Sequence, residues 1–177
     1  ICFYFFIYTV WLKRRTPQNI VIGGAAGALP PVIGWTIATG SLTIEPFILF
    51  LIIFLWTPSH FWALSIYKSS DYKKAKIPML PIIYGIEKTK KNIFIYSLLM
   101  LPTISAPYFI SFLSKIYFYP ALALTIYYIY LCGTLLKVKK NKEINTLARR
   151  IFLYSIFYLF AIFLLILSDH FFMRFYG

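Results

Sequence analysis

The sequence predicts an all-α protein, a polytopic bundle of membrane-spanning helices. Three observations lead to that class. Apolar stretches close to the roughly 20 residues that cross a bilayer recur along the 177-residue chain. Charge is sparse, with 60% of residues hydrophobic and 13% charged, where a soluble domain carries about a quarter charged residues. The basic residues fall almost entirely in alternate loops between the apolar stretches, the pattern that orients membrane proteins.

Six segments carry the apolar character: Ile1–Leu12, Ile20–Thr39, Pro46–Tyr67, Ile93–Leu113, Tyr117–Leu136 and Ile151–Ser168. Lipid admits only helices and closed barrels, because every backbone N–H and C=O must be satisfied within the protein. These runs are too long and too continuous for barrel strands, and the polar–apolar alternation of barrel strands is absent. Helices are therefore expected, within one membrane domain spanning residues 1–177.

The first segment is short, and the chain opens inside it at Ile1 rather than at a methionine. No basic, apolar and small-residue succession marks a signal peptide. Further N-terminal sequence is therefore expected. In the second segment Gly23 and Gly27 lie four residues apart, on one helix face. Small residues there let a neighbouring helix approach closely, or leave room for a flat or long apolar ligand. Pro30-Pro31 should kink or break this helix. The third segment contains Trp56-Thr57-Pro58-Ser59-His60-Phe61-Trp62. An ionisable residue inside a span is a candidate functional residue. His60 suits a metal, porphyrin or substrate contact, or a hydrogen bond to another helix; Pro58 should loosen the backbone beside it. Cys2 and Cys132 sit in apolar stretches without metal spacing and read as small buried hydrophobes. Asp169 and His170, just past the last segment, read as interfacial.

Lys+Arg total 18 against 5 Asp+Glu, a net charge of +13. Such an excess could signal nucleic acid, but here the cations flank spans, and no nucleic-acid partner is expected. Lys13, Arg14 and Arg15 follow the first segment. Lys68, Lys73, Lys74, Lys76, Lys88, Lys90 and Lys91 follow the third, and Lys137, Lys139, Lys140, Lys142, Arg149 and Arg150 the fifth. The other side holds only Lys115 and Arg174. The positive-inside rule places the basic loops in the cytoplasm or its equivalent and the C-terminus outside.

Two of these loops could carry chemistry. The loop after the third segment reads Tyr67-Lys68-Ser69-Ser70-Asp71-Tyr72-Lys73-Lys74-Ala75-Lys76-Ile77-Pro78-Met79-Leu80-Pro81. A carboxylate among lysines at the membrane surface can hold a divalent cation while the lysines contact phosphate oxygens; Mg²⁺ binds in this way through one or two carboxylates plus substrate phosphates. The three adjacent cations Lys13-Arg14-Arg15 could grip a diphosphate, arginine being suited to bidentate contacts. Solvated loops that merely obey the orientation rule would look the same.

Several separate strings, in order, resemble the protohaem IX farnesyltransferases, a group of the intramembrane (UbiA-type) prenyltransferases. They run from Tyr8-Thr-Val-Trp-Leu-Lys13-Arg14-Arg15-Thr-Pro-Gln-Asn19 to Leu29-Pro-Pro31, then Trp56-Thr-Pro-Ser-His60-Phe-Trp, then Asp71-Tyr72-Lys73-Lys74 to Met79-Leu-Pro81, and finally Tyr154-Ser-Ile-Phe-Tyr158. Ser59 stands where that pattern usually has a second proline, and Lys76 where it usually has a glycine. The resemblance implies a nine-helix fold, of which the six segments match helices four to nine. It also implies two acidic motifs on basic-side loops. The Asp71 loop is similar to the second, and no counterpart of the Asn/Asp-rich first occurs in this sequence. A C-terminal portion is thus expected.

The implied reaction joins farnesyl diphosphate, haem B and water to give haem O and diphosphate, in a bacterial cytoplasmic or mitochondrial inner membrane. Asp71 is then expected to bind Mg²⁺ and diphosphate, with Lys73 and Lys74 acting beside it. Lys13 and Arg14 are expected on diphosphate oxygens, Asn19 and Tyr72 as further polar contacts, and His60 on the porphyrin. Haem B enters as substrate, and a haem A synthase is an expected downstream partner. Two rivals remain at this stage: a prenyltransferase for a quinone or chlorophyll precursor, and a structural, transport or inactive membrane subunit.

Overall fold

A computed structural model of the chain describes residue 16 and residues 18–75 and 77–176. Among them no strand occurs, and eight helices follow in order: α1 (Asn19–Gly27), α2 (Pro30–Thr39), α3 (Ile44–Tyr67), α4 (Ser69–Lys74), α5 (Leu80–Ile83), α6 (Gly85–Phe109), α7 (Lys115–Lys137) and α8 (Asn141–Tyr176). Five stretches are long and apolar enough to cross a membrane: the α1–α2 pair, α3, α6, α7 and α8. They coincide with the second to sixth segments of the sequence. The first segment, Ile1–Leu12, lies outside the described residues, as do Cys2, Lys13, Arg14 and Lys76.

The expected break in the second segment falls at Ala28–Leu29, and Pro30 and Pro31 open α2. Proline is tolerated there because the first N–H groups of a helix have no intrahelical acceptor. Gly40, at φ 68°, ends α2 in the left-handed conformation that glycine adopts without strain. By contrast, α3 runs unbroken through Pro58. Hydroxyls brace the turn on either side: Thr57 Oγ1 donates to the Ile53 carbonyl at 2.7 Å and Ser59 Oγ to the Trp56 carbonyl at 3.0 Å.

Two helices outrun their apolar segments. α6 begins at Gly85 rather than Ile93, and α8 begins at Asn141 rather than Ile151. Hydrophobicity marks where lipid ends, whereas backbone hydrogen bonding carries the helix on into water. Acid–base pairs three residues apart line both extensions, Glu87–Lys90 at 2.7 Å and Lys140–Glu143 at 3.6 Å. The 36 residues of α8 extend about 54 Å at 1.5 Å per residue. That exceeds the roughly 30 Å hydrocarbon layer, so its basic first turns stand clear of the acyl chains.

α3, α6, α7 and α8 close a ring in which α3 and α7 each pack against both α6 and α8; α1 and α2 lean on the outside of α3. The centre is filled by Ile52, Trp62, Ile93, Met100, Tyr128 and Tyr158. Lipid tails are as apolar as leucine, so burial alone gives no preference for helix pairing over lipid contact, and interhelical hydrogen bonds of roughly 0.6–2 kcal/mol matter. Tyrosines supply them. Tyr128 and Ser59 pair across the ring at 2.8 Å, Tyr158 pairs with Thr125 at 2.9 Å, and Tyr117 Oη donates to the Ile104 carbonyl at 3.0 Å.

Each end of the bundle carries a buried charged clip. At the basic end the fully buried Lys90 donates to Glu87 at 2.7 Å and to the Val138 carbonyl, just past α7, at 2.8 Å. At the other end Asp169 corrects the interfacial expectation. It is 1% exposed and accepts from the Ser114 and Tyr117 backbone N–H groups at 2.9 and 3.1 Å, and from Ser114 Oγ. A carboxylate on α8 thus caps the N-terminus of α7, where unsatisfied N–H groups and the helix dipole favour negative charge. The neighbouring His170 is exposed.

Candidate functional site

The candidate residues arrange themselves around α3, at two levels. The upper level is the charged loop at its C-terminal end. Lys68 ends α3 and also caps α4, so the chain turns within a single residue. Asp71 lies in the first turn of α4, with a carboxylate oxygen 3.4 Å from Lys68 Nζ and its partner accepting from Ser70 Oγ at 3.3 Å. Asp71, Lys73 and Lys74 are exposed, open to a ligand arriving at the surface. Tyr72 is half-buried, and burial pushes its phenol above the usual range, so it remains a hydrogen-bond donor at neutral pH. The loop is tied down by α5, whose buried Leu80 and Pro81 pack it between α3 and α6.

A further cation reaches this level from α8. The Arg149 guanidinium lies 5.8 Å from the centre of the Tyr67 ring, and Lys68 Nζ lies 5.4 Å from the same ring. Arg149 thereby joins the Lys68–Asp71 end of α3. In the sequence it signalled orientation only, because nothing in a linear pattern shows which helix α8 packs against. Asn19 opens α1 at 2% exposure. The short 40–43 connection makes α1–α2 antiparallel to α3, which brings Asn19 toward the end of α3 that bears the charged loop.

The lower level lies within the spans. His60 precedes Tyr67 by seven residues, about 10 Å along the helix. Its ring is sandwiched between Trp56, stacked at 4.2 Å, and Phe152 of α8, stacked at 4.8 Å, with the Phe61 edge at 5.0 Å. Two clefts flank it. One of about 300 Å³ lies between α1 and α3, lined by residues including Gly23, Gly24, Gly27, Trp56 and Phe61. The other, about 420 Å³, lies between α3 and α8, lined by His60, Trp56, Leu159, Phe160 and Phe163 among others. Ile53 and Trp56 line both.

All three glycines line the cleft between α1 and α3, and Gly24 and Gly27 differ in how closely α3 approaches them. A Cβ on Gly24 would meet Thr57 Cγ2 at 3.0 Å, so Gly24 makes the close helix approach. A Cβ on Gly27 would meet nothing within 4 Å. Gly23 and Gly27, singled out by their spacing, line the cleft.

Asp71, Tyr72, Lys73 and Lys74 therefore stand together on α4, His60 stands beneath them beside two apolar clefts, and Asn19 begins the adjacent helix. Lys13 and Arg14 lie outside the described residues. Among the described residues no group of three or more His, Cys, Asp or Glu side chains could hold a metal. Asp71 offers a single carboxylate, which could be one donor to a cation shared with phosphate oxygens but could not form a protein cage by itself. Sequence reasoning missed Arg149, Phe152 and Ser155 of α8. The i, i+3, i+6 spacing of these three was visible, but not that this face meets α3.

The UbiA prenyltransferase family matches residues 1–156. The chain is 66% identical over 169 residues to a protein of Pelagibacter ubique named protoheme IX farnesyltransferase, covering 96% of the chain and 56% of that relative. A protein of the same name from Parvibaculum lavamentivorans is 51% identical over 169 residues, with 96% and 53% covered. Another, from Orientia tsutsugamushi, is 50% identical over 170 residues, with 96% and 53% covered. The chain spans about half the length of the curated relatives it matches. No solved structure matches it.

Proposed function

Because the chain belongs to the UbiA prenyltransferase family, we propose that it transfers a farnesyl group from farnesyl diphosphate to a vinyl group of haem B, forming haem O. The observation that carries this reading is the two-level arrangement on α3. A cationic, carboxylate-bearing loop stands at the membrane surface, directly continuous with a helix that carries apolar clefts and a histidine sandwich. A diphosphate head and a long apolar tail need those two environments in that order. The names of the relatives support the same acceptor and donor.

Breaking the allylic C–O bond requires that the leaving diphosphate's charge be neutralised. Asp71 would hold Mg²⁺, which when bound supplies part of that neutralisation. Lys73 and Lys74, with Lys13 and Arg14, contact the remaining oxygens, and Tyr72 donates a hydrogen bond. Asn19 is a further polar contact. The allylic cation needs a dry wall of aromatic faces, which Trp56 and Phe61 provide. His60 orients the porphyrin of the haem substrate. The farnesyl carbon bonds to the vinyl group, and water captures the resulting carbocation, releasing a proton. The basic loops face the cytoplasm or matrix, and the product passes to a haem A synthase.

The test is a chimera in which this chain replaces the matching segment of the Pelagibacter ubique relative. Membranes carrying it are expected to make haem O, and Asp71→Asn to lower the rate by about 10²-fold, the loss usual when one charge-stabilising group is removed. An unchanged rate removes Asp71 from the site.

A further inference from the structure

One residue of α8 holds the whole histidine sandwich. Ser155, fully buried, accepts the Trp56 indole N–H on its carbonyl at 2.9 Å. Its hydroxyl lies 2.7 Å from His60 Nδ1 and 2.6 Å from the Phe152 carbonyl, whose ring is the other face of the sandwich. A serine hydroxyl has a single hydrogen. The carbonyl has none, so a 2.6 Å oxygen–oxygen contact requires that the hydroxyl hydrogen lie between Ser155 Oγ and the Phe152 oxygen. Nothing is then left for Ser155 to donate to the imidazole. With that hydrogen placed, the 2.7 Å contact is assigned as Nδ1–H donating to Oγ.

We propose that Ser155 is a positioning residue that fixes His60 in its Nδ1–H form, leaving Nε2 as a free lone pair in the cleft between α3 and α8. Nε2 makes no hydrogen bond to any described residue, and His60 lines that cleft. The two stacked rings prevent the imidazole from tipping out of plane, while Ser155 sets its rotation and tautomer. In metal sites the hydrogen bond made by one ring nitrogen decides which nitrogen is free to ligate. The chemistry that such a lone pair takes is an electrophilic metal centre. On the haem reading above, on which this half of the proposal rests, that centre is the iron of the acceptor porphyrin.

The chain has two histidines, so His170→Gln leaves His60 alone for ¹⁵N-histidine NMR in lipid nanodiscs. The expected spectrum has a hydrogen on Nδ1 and a pyridine-type Nε2. In Ser155→Ala, with helicity checked by circular dichroism, the hydrogen is expected to move largely to Nε2; Ser155→Thr, which keeps the hydroxyl, should restore Nδ1–H. A hydrogen on Nε2 in the parent, or the same tautomer in Ser155→Ala, overturns the proposal. If Ser155→Ala does not fold, Ser155→Thr decides: an Nε2–H form there overturns it. Ferric protohaem is then added. Broadening of the Nε2 resonance and an imidazole-type optical band, both lost in His60→Ala, are expected. An Nε2 untouched by haem overturns the iron assignment and counts against the haem reading, while the tautomer result stands independently.

Discussion

Ser155, Lys90 and Asp169 show how much of this protein's behaviour is decided by single polar side chains that a linear reading places wrongly or not at all. Each was visible as a polar residue in or beside an apolar run, yet the sequence holds no sign of its partner on another helix. Lys90 counted as one of many cations of a surface loop, but it is fully buried on the Val138 carbonyl. Asp169 read as interfacial but caps α7. Asp169→Asn removes the charge that these N–H groups face and turns part of an acceptor into a donor. It should cost about 1–3 kcal/mol, the range for disrupting a buried hydrogen-bonded group, seen as a lower thermal midpoint. His170→Gln next to it, at an exposed position, should leave the midpoint unchanged and serves as the control.

At the scale of elements, the apolar runs located the spans, because lipid leaves a helix no alternative. The proline pair located the break between α1 and α2. The helix ends in water were not legible, since α6 and α8 continue on backbone hydrogen bonds and charged pairs after hydropathy has ended. The glycine stripe was legible as a stripe, but not that Gly24 meets α3 closely while Gly27 stands clear of it. Gly24→Ala should push α1 from α3, because its Cβ would sit 3.0 Å from Thr57; overpacking of this kind costs about 1–3 kcal/mol. Gly27→Leu should leave stability near the parent value, since a Cβ there meets nothing within 4 Å, while filling the cleft and raising the KM for farnesyl diphosphate. Thermal midpoints and transfer kinetics in the chimera separate the two effects. Equal destabilisation by both substitutions would remove the cleft from the account.

For the whole molecule, the alternation of basic loops ties topology to chemistry. The charged loop and the first turns of α8 meet at one end of the ring, through Arg149 and Tyr67, and the Asp169 clip lies at the other. In a background lacking Cys2 and Cys132, Lys74→Cys and His170→Cys should react with a membrane-impermeant maleimide from opposite faces, the former only in inverted vesicles. Labelling of both from one face would break the topology.

The candidate site was only partly legible. Asp71, Tyr72, Lys73, Lys74 and His60 stood out by residue type and by their strings. The α8 residues that complete the surroundings became visible only once α8 was seen against α3. The transfer itself is tested most directly in the chimera, with membranes given labelled farnesyl diphosphate and either haem B or an aromatic quinone precursor. Label is expected in a haem heavier than haem B by one farnesyl group and one hydroxyl group. Label only in the quinone precursor, or none in haem while the parent relative labels haem normally, would contradict farnesyl transfer to haem by this chain.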